Sequence, residues 1–171
     1  FGGETPKEQR VYYFNTKEIT GNKYGTPSPV PFRVVDERAG IDLDIGIRCF
    51  GAYSYRITNP LLFYTHVCGH VSEDYTRDKI DDQLKSELLT ALQPAFARVG
   101  ETGVRYSGLT AHTKEISKAL NDELSAEWKD VRGLEIVSFG VSSVKASEED
   151  EQMIKEMQRE AAYMDPTRAA G

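Results

Sequence analysis

Cysteine is scarce in this 171-residue chain: Cys49 and Cys68 are the only two. Two are too few for a disulfide framework, and they lean toward a reducing compartment without fixing one. No apolar run approaches the ~20 residues that a membrane-spanning helix needs, and no signal-peptide pattern is present. The chain starts at Phe1 rather than Met, so further residues are expected upstream. Lysine and arginine form no cluster, and the net charge is −6. Non-specific nucleic-acid binding requires a basic footprint, so nucleic acid is not an expected partner. The same acidity is repelled by anionic lipid headgroups, so a membrane link requires a hydrophobic element or a partner protein. Catalytic signatures are missing as well. There is no GxSxG or HExxH, and Gly100–Gly108 (GETGVRYSG) has neither the spacing nor the Lys-Ser/Thr ending of a phosphate loop.

What the chain does have is ordinary globular composition, with 39% apolar and 28% charged residues. One domain plus an appendage fits this length, and such a domain hides roughly 70% of the surface of its unfolded chain. The clearest signal is Ile41–Pro60. Ile41, Leu43, Ile45, Ile47 and Cys49 alternate with Asp42, Asp44, Gly46 and Arg48, which is the period of a strand with one dry and one wet face. Gly51 interrupts, and Tyr53, Tyr55 and Ile57 restart the pattern, so two strands joined by a turn or bulge are expected. Asn59-Pro60 ends the second. Cys49 falls on the dry face, where a free thiol serves as a small hydrophobe.

Around this pair the pattern predicts a first strand at Gln9–Asn15, turn and edge structure over Gly21–Pro31, and a short strand at Phe32–Val35. Leu61–Val67 reads as a short helix ending near Gly69. A long helix capped by Ser72 carries Ile80, Leu84, Leu88, Leu92 and Phe96 as one buried stripe. Pro94 should kink or shorten its last turn, and Gly100 sits where helices end. A second helix from Ser107 or Thr110 buries Ile116, Leu120, Leu124 and Trp128 and stops at Gly133. Leu134–Val144 is a last strand whose phase slips near Val137, as a bulge would cause. Ser147 then caps a helix with Glu148, Glu149, Asp150 and Glu151 at its positive end. Ile154, Met157, Ala161 and Met164 follow at 3-4-3 spacing, two heptads of an a/d seam.

Candidate chemistry is sparse. His66, Cys68 and His70 could supply zinc ligands, and a metal-binding or hydrolytic enzyme built on them is the alternative reading. On a helix, however, His66 and Cys68 point about 200° apart and could not share an ion. His112 has no obvious Ser or Cys partner and reads as a solvated or capping residue. Asp42 and Asp44 share the wet face of a strand, where carboxylates are usually solvated. Asp81-Asp82 and Glu148–Glu151 read as helix charges. No nucleophile, base and orienting group can be assembled, so no catalytic residue, metal or cofactor is assigned.

Several strings resemble a known family. Gly25-Thr26-Pro27-Ser28-Pro29-Val30-Pro31, Phe50-Gly51-Ala52-Tyr53-Ser54-Tyr55-Arg56-Ile57 and Asn59-Pro60, with Gly133-Leu134-Glu135-Ile136 ahead of Ser147–Glu151, are similar to the SPFH or Band-7 family of stomatin, prohibitin, flotillin and HflK/C. Within it they look like the bacterial branch called virion core protein-like. The resemblance spans Gln9 to Met164. It implies an α+β fold: a mostly antiparallel strand meander packed on two or three helices, with a C-terminal helix leading into a coiled coil. Residues 1–145 would form the domain and 146–171 the start of that helix, which looks truncated. The implied function is a non-enzymatic oligomeric scaffold, cytoplasmic and peripheral to the membrane, that organises membrane complexes or a stress response. Its partners would be copies of itself and integral membrane proteins, with no small-molecule substrate. The contact candidates are Ile154, Met157, Ala161 and Met164 on the seam, and Asp42, Asp44 and Arg48 on the wet face.

Overall fold

The computed structural model describes residues 11–69 and 74–164, apart from the side chain of Met164. Its centre is one strand, β3 (Ile41–Ile57), 17 residues long. The expected break at Gly51 does not occur, and the side-chain phase shows why. Ile41 to Cys49 and Tyr53 to Ile57 all fall on odd positions, so one uninterrupted pleat keeps both sets on the same face.

Both flanks of β3 are broken instead. On one side lie β1 (Ile19–Gly25) and β2 (Val30–Asp36), both antiparallel to it. Thr26–Pro29 bulge out between them, opposite Arg48 and Cys49. Thr26 repairs the gap: its N–H donates to the Cys49 carbonyl at 3.0 Å, and its hydroxyl accepts from the Cys49 N–H at 3.1 Å. On the other side run β4 (Leu134–Phe139) and β5 (Ser143–Ala146), separated by Gly140–Ser142. Here the Gly140 and Ser142 N–H groups donate to the Ala52 and Phe50 carbonyls. The expected last strand is therefore two strands. The expected bulge is found: Ser54 opposes Ser138 while Tyr55 opposes Ile136, which leaves Val137 as the extra residue.

Two further expectations are corrected. Residues 11–18 are not in a strand, and Tyr13 is 92% exposed. With Val11 also exposed, its alternating apolar pattern finds no sheet to bury against. Gly21–Gly25, expected as turn and edge structure, belongs to β1, which pairs with β3.

Asn59 caps a short helix α1 (Pro60–Phe63), its side chain accepting from the Leu62 N–H at 3.2 Å. The helix widens into a π-type turn over Tyr64–Cys68. Helix α2 runs from Asp78 to Glu101. It starts later than a Ser72 cap implies, and Ser72 lies outside the described residues. It also continues through Pro94 and past Gly100, which is buried inside the helix 3.5 Å from the Phe32 ring, measured from where its Cβ would stand. A 3-10 turn (Tyr106–Ala111), α3 (Thr113–Leu124) and a second π-type turn (Trp128–Arg132) follow. Gly133 closes this run with φ +65°, the left-handed conformation expected at a helix end.

Helices α2 and α3 pack on the odd face of β3. Their stripes (Ile80, Leu84, Leu88, Leu92 and Phe96; Ile116, Leu120, Leu124) and Trp128 are all buried, together with Phe32, Ile47, Tyr55 and Phe139 from the sheet. The outer edge of β4 is covered by a side chain. The Asn121 amide donates to the Ile136 carbonyl at 2.9 Å, and its oxygen accepts from the Ile136 N–H at 2.8 Å. Asn121 thus acts as one more rung of the ladder, protecting an edge that would otherwise offer unpaired backbone groups. Asn121→Ala should cost about 1–3 kcal/mol in urea denaturation, because both Ile136 groups lose their partner together.

Candidate functional site

With the helices on the odd face, the even face of the sheet is left without a helical cover among the described residues. Asp42, Asp44, Arg48, Phe50 and Arg56 of β3 all lie exposed on it. Arg33 of β2 stands directly opposite Asp44, yet its guanidinium reaches diagonally to Asp42 and donates to both carboxylate oxygens at 2.8 Å. That fork holds the Asp42 carboxyl below its ordinary range. Arg56 likewise donates to Glu135 across the β3–β4 ladder at 2.7 Å. Between these pairs Ser54 is buried, its hydroxyl bonded to Glu18 and Ser138. The wet face is thus partly neutralised by its own ion pairs. The exceptions are Asp44 and Arg48 of β3, Lys23 of β1 and Lys145 of β5, which have no hydrogen-bond or ion-pair partner among the described residues.

Sequence reasoning named Asp42, Asp44 and Arg48 and missed three neighbours that shape the same face: Arg33, Lys145 and Phe50. The signal for Phe50 was available. Carrying the odd–even phase through Gly51 puts Phe50 on the wet side, where it is 56% exposed. Lys145 could not be placed this way, because its register against Arg48 depends on the break at Gly140–Ser142.

The terminal helix α4 (Glu148–Met164) begins as expected, with the Ser147 hydroxyl accepting from the Asp150 N–H at 3.1 Å. Its first turns lie against the domain. Ile154 is buried in the common core, Tyr106 donates to Glu151 at 3.2 Å, and Gln158 donates to Asp36 at 3.2 Å. A cavity of about 420 Å³ remains beside it, lined by residues of β2, the end of α2 and α4. Met157 and Ala161 are only half-buried. Of the four seam residues, then, Ile154 is already covered within one chain.

His66 and Cys68 do not converge. His66 is exposed and Cys68 is buried on the other side of the π-type turn, its thiol facing the Phe63 carbonyl. His70 lies outside the described residues. No group of three His, Cys, Asp or Glu side chains able to hold a metal occurs among the described residues. His112 occupies the position ahead of α3, with its Nδ1 3.8 Å from a Glu115 oxygen. Asp81 does more than decorate a helix: it accepts from the buried Tyr55 hydroxyl at 3.3 Å and from Arg77 at 3.4 Å, tying the start of α2 to the sheet. Burial, with the Asp81 charge beside it, pushes the Tyr55 hydroxyl pKa up.

Comparison with protein families supplies the frame for this open sheet. The family model described as "SPFH domain-Band 7 family" matches residues 1–162. The chain belongs to the SPFH domain–Band 7 family. No curated protein matches it. The strings that carry the SPFH resemblance now have structural meanings. Gly25–Pro31 is the break between β1 and β2, and Phe50–Ile57 is the half of β3 that faces the second break. Asn59-Pro60 is the cap of α1. Pro29 lies against the wet side of the sheet, where a Cβ on Gly46 would stand 2.7 Å from the Pro29 Cβ. No helix among the described residues is long and apolar enough to cross a membrane.

Proposed function

We propose that this SPFH unit is an assembly module of a membrane-associated scaffold. In this reading residues 1–145 form the module and 146–171 open the assembly helix. The open sheet face and the outer part of α4 are offered to further copies of the chain and to integral membrane proteins. The role is non-enzymatic, needs no cofactor or small-molecule substrate, and keeps the module on the cytoplasmic side, peripheral to the membrane. Kinship with the virion core protein-like branch and service in a stress response belong to the same proposal. SPFH membership supports a membrane-associated scaffold in general terms.

The observation that carries the reading is Phe50. A large aromatic ring lies 56% exposed at the middle of the central strand, on a face with no helical cover among the described residues. Val35 and Val137 are exposed on the same face. Aromatic residues framed by charged neighbours are typical anchors of protein interfaces. Two heptads alone are marginal for association, so the 171-residue chain should self-associate weakly, with a dissociation constant on the order of 10⁻⁴ M. Sedimentation velocity across a concentration series tests this. Phe50→Glu should weaken the association at least tenfold, as expected for loss of an interface anchor. A chain that stays monomeric throughout, or whose association ignores Phe50→Glu, contradicts the proposal.

A further inference from the structure

We propose that the cleft around Arg48 and Lys145 is a binding site for a single phosphate-type anion. The two residues are register partners on β3 and β5, so their side chains leave the sheet side by side, with Cβ atoms about 5 Å apart. Like charges directly opposed across a ladder destabilise it, and here neither cation is relieved by a carboxylate. Arg33 and Arg56 on the same face are each paired off, and the unpaired Lys23 of β1 stands alone, outside the cleft that Arg48 and Lys145 share. Arg48 and Lys145 line a cleft of about 400 Å³ that includes Thr26, Phe50, Ser143 and Ser147 and no acidic residue.

The hydroxyls fit the same purpose. Thr26 is committed to Cys49. Ser147 uses its oxygen to accept from the Asp150 N–H, which leaves its O–H free to donate. The Ser143 hydroxyl has no partner among the described residues. Two cations and two free hydroxyl donors in one pocket match the three or four oxygens of a phosphoryl group, for which charge-assisted hydrogen bonds are the strong contacts. Glu148, Glu149 and Asp150 follow immediately after Ser147. With the net charge of −6, they disfavour an extended polyanion relative to a compact one. The ligand is either a soluble phosphate or the headgroup of an anionic phospholipid, since both present the same oxygens.

The site does not depend on the assembly reading, and one set of measurements separates them. The full chain is titrated with inorganic phosphate while the backbone amides of Arg48, Ser143 and Lys145 are followed by NMR. In parallel it is co-sedimented with vesicles of phosphatidylcholine alone or with phosphatidylglycerol. Saturable amide shifts, and a melting temperature that rises with phosphate, are the expected result. Binding only to phosphatidylglycerol vesicles assigns the anion to lipid, and shifts with phosphate alone assign it to a soluble ligand. The double variant Arg48→Ala/Lys145→Ala should lose at least tenfold in affinity. Arg33→Ala, whose guanidinium is already occupied by Asp42, should bind normally. The double variant should also melt at or above the wild-type temperature, since it removes a like-charge pair. Three results would overturn the proposal: no saturable response to phosphate or vesicles, an equal loss in Arg33→Ala, or a double variant that loses self-association while its phosphate response is unchanged. The last would give the cations to a second copy of the chain.

Discussion

Gly51→Ala should destabilise the domain by about 2–4 kcal/mol and lower its melting temperature by about 5–15 °C. A Cβ at this position would lie 2.1 Å from the Gly140 carbonyl oxygen and 2.9 Å from its carbon. Those are backbone atoms, so no rotamer change relieves the overlap. Gly140 is also held from two sides. Its N–H donates to the Ala52 carbonyl at 2.8 Å, and its carbonyl accepts from the buried Tyr24 hydroxyl at 2.9 Å. Admitting a methyl group means moving the crossing between β4 and β5, and with it the register that sets Lys145 beside Arg48. Calorimetry on Gly51→Ala and Tyr24→Phe separates the two contributions. Tyr24→Phe should cost about 1 kcal/mol as a lost hydrogen bond, and it should not rescue Gly51→Ala when combined. A Gly51→Ala protein with wild-type stability would mean that the crossing yields freely, against the close approach seen here.

Phe96→Ala should cost about 3–5 kcal/mol by equilibrium denaturation in urea, the usual range for removing a fully buried aromatic ring. Phe96 lies on α2 with no exposed surface, and its ring meets that of Phe32 on β2 edge to face at 6.3 Å. This contact joins the long helix to the sheet. The same Phe32 ring also lies against Gly100, one turn further along the helix. Because they touch, Phe32→Ala and Phe96→Ala should not be additive: the double variant should lose less than the sum of the singles. Additive losses would show that the two rings stabilise separate regions. The helix reaches this contact only because it passes Pro94, where the sequence pattern predicts a kink or a shortened last turn. A proline removes one helical hydrogen bond, and burial of Ala95, Phe96 and Val99 beyond it offsets that loss.

Several elements were legible in the chain because they follow from local periodicity. The α2 stripe from Ile80 to Phe96, the α3 stripe from Ile116 to Leu124 with Trp128 buried in the turn after it, the Gly133 stop and the Ser147 cap all stand where spacing puts them. The Val137 bulge was readable too, since an extra residue shifts the alternation permanently. The misses share one cause. Gly51 and Gly100 both read as punctuation in the sequence; Gly51 is small because the Gly140 backbone approaches it, while Gly100 lies inside α2 at ordinary contact distance from Phe32. Gln9–Asn15 alternates like a strand, yet alternation does not say whether a partner strand exists; in the described part, residues 11–15, Phe14 packs on Phe63 of α1 instead. Gly21–Gly25, read as turn and edge structure, is regular strand because β3 offers it a ladder.

The candidate face divides along the same line. Asp42, Asp44 and Arg48 could be assigned to a wet surface from parity alone, since alternate side chains of any strand leave on opposite sides. The family resemblance was likewise carried by local strings. Tertiary structure alone decided that Arg33 neutralises Asp42 and leaves Asp44 free, that Lys145 stands beside Arg48, and that Ile154 is spent on the domain's own core. Each of these depends on register or docking between segments far apart in the chain. Register is selected by the whole set of buried contacts at once, and no short window of sequence contains that set.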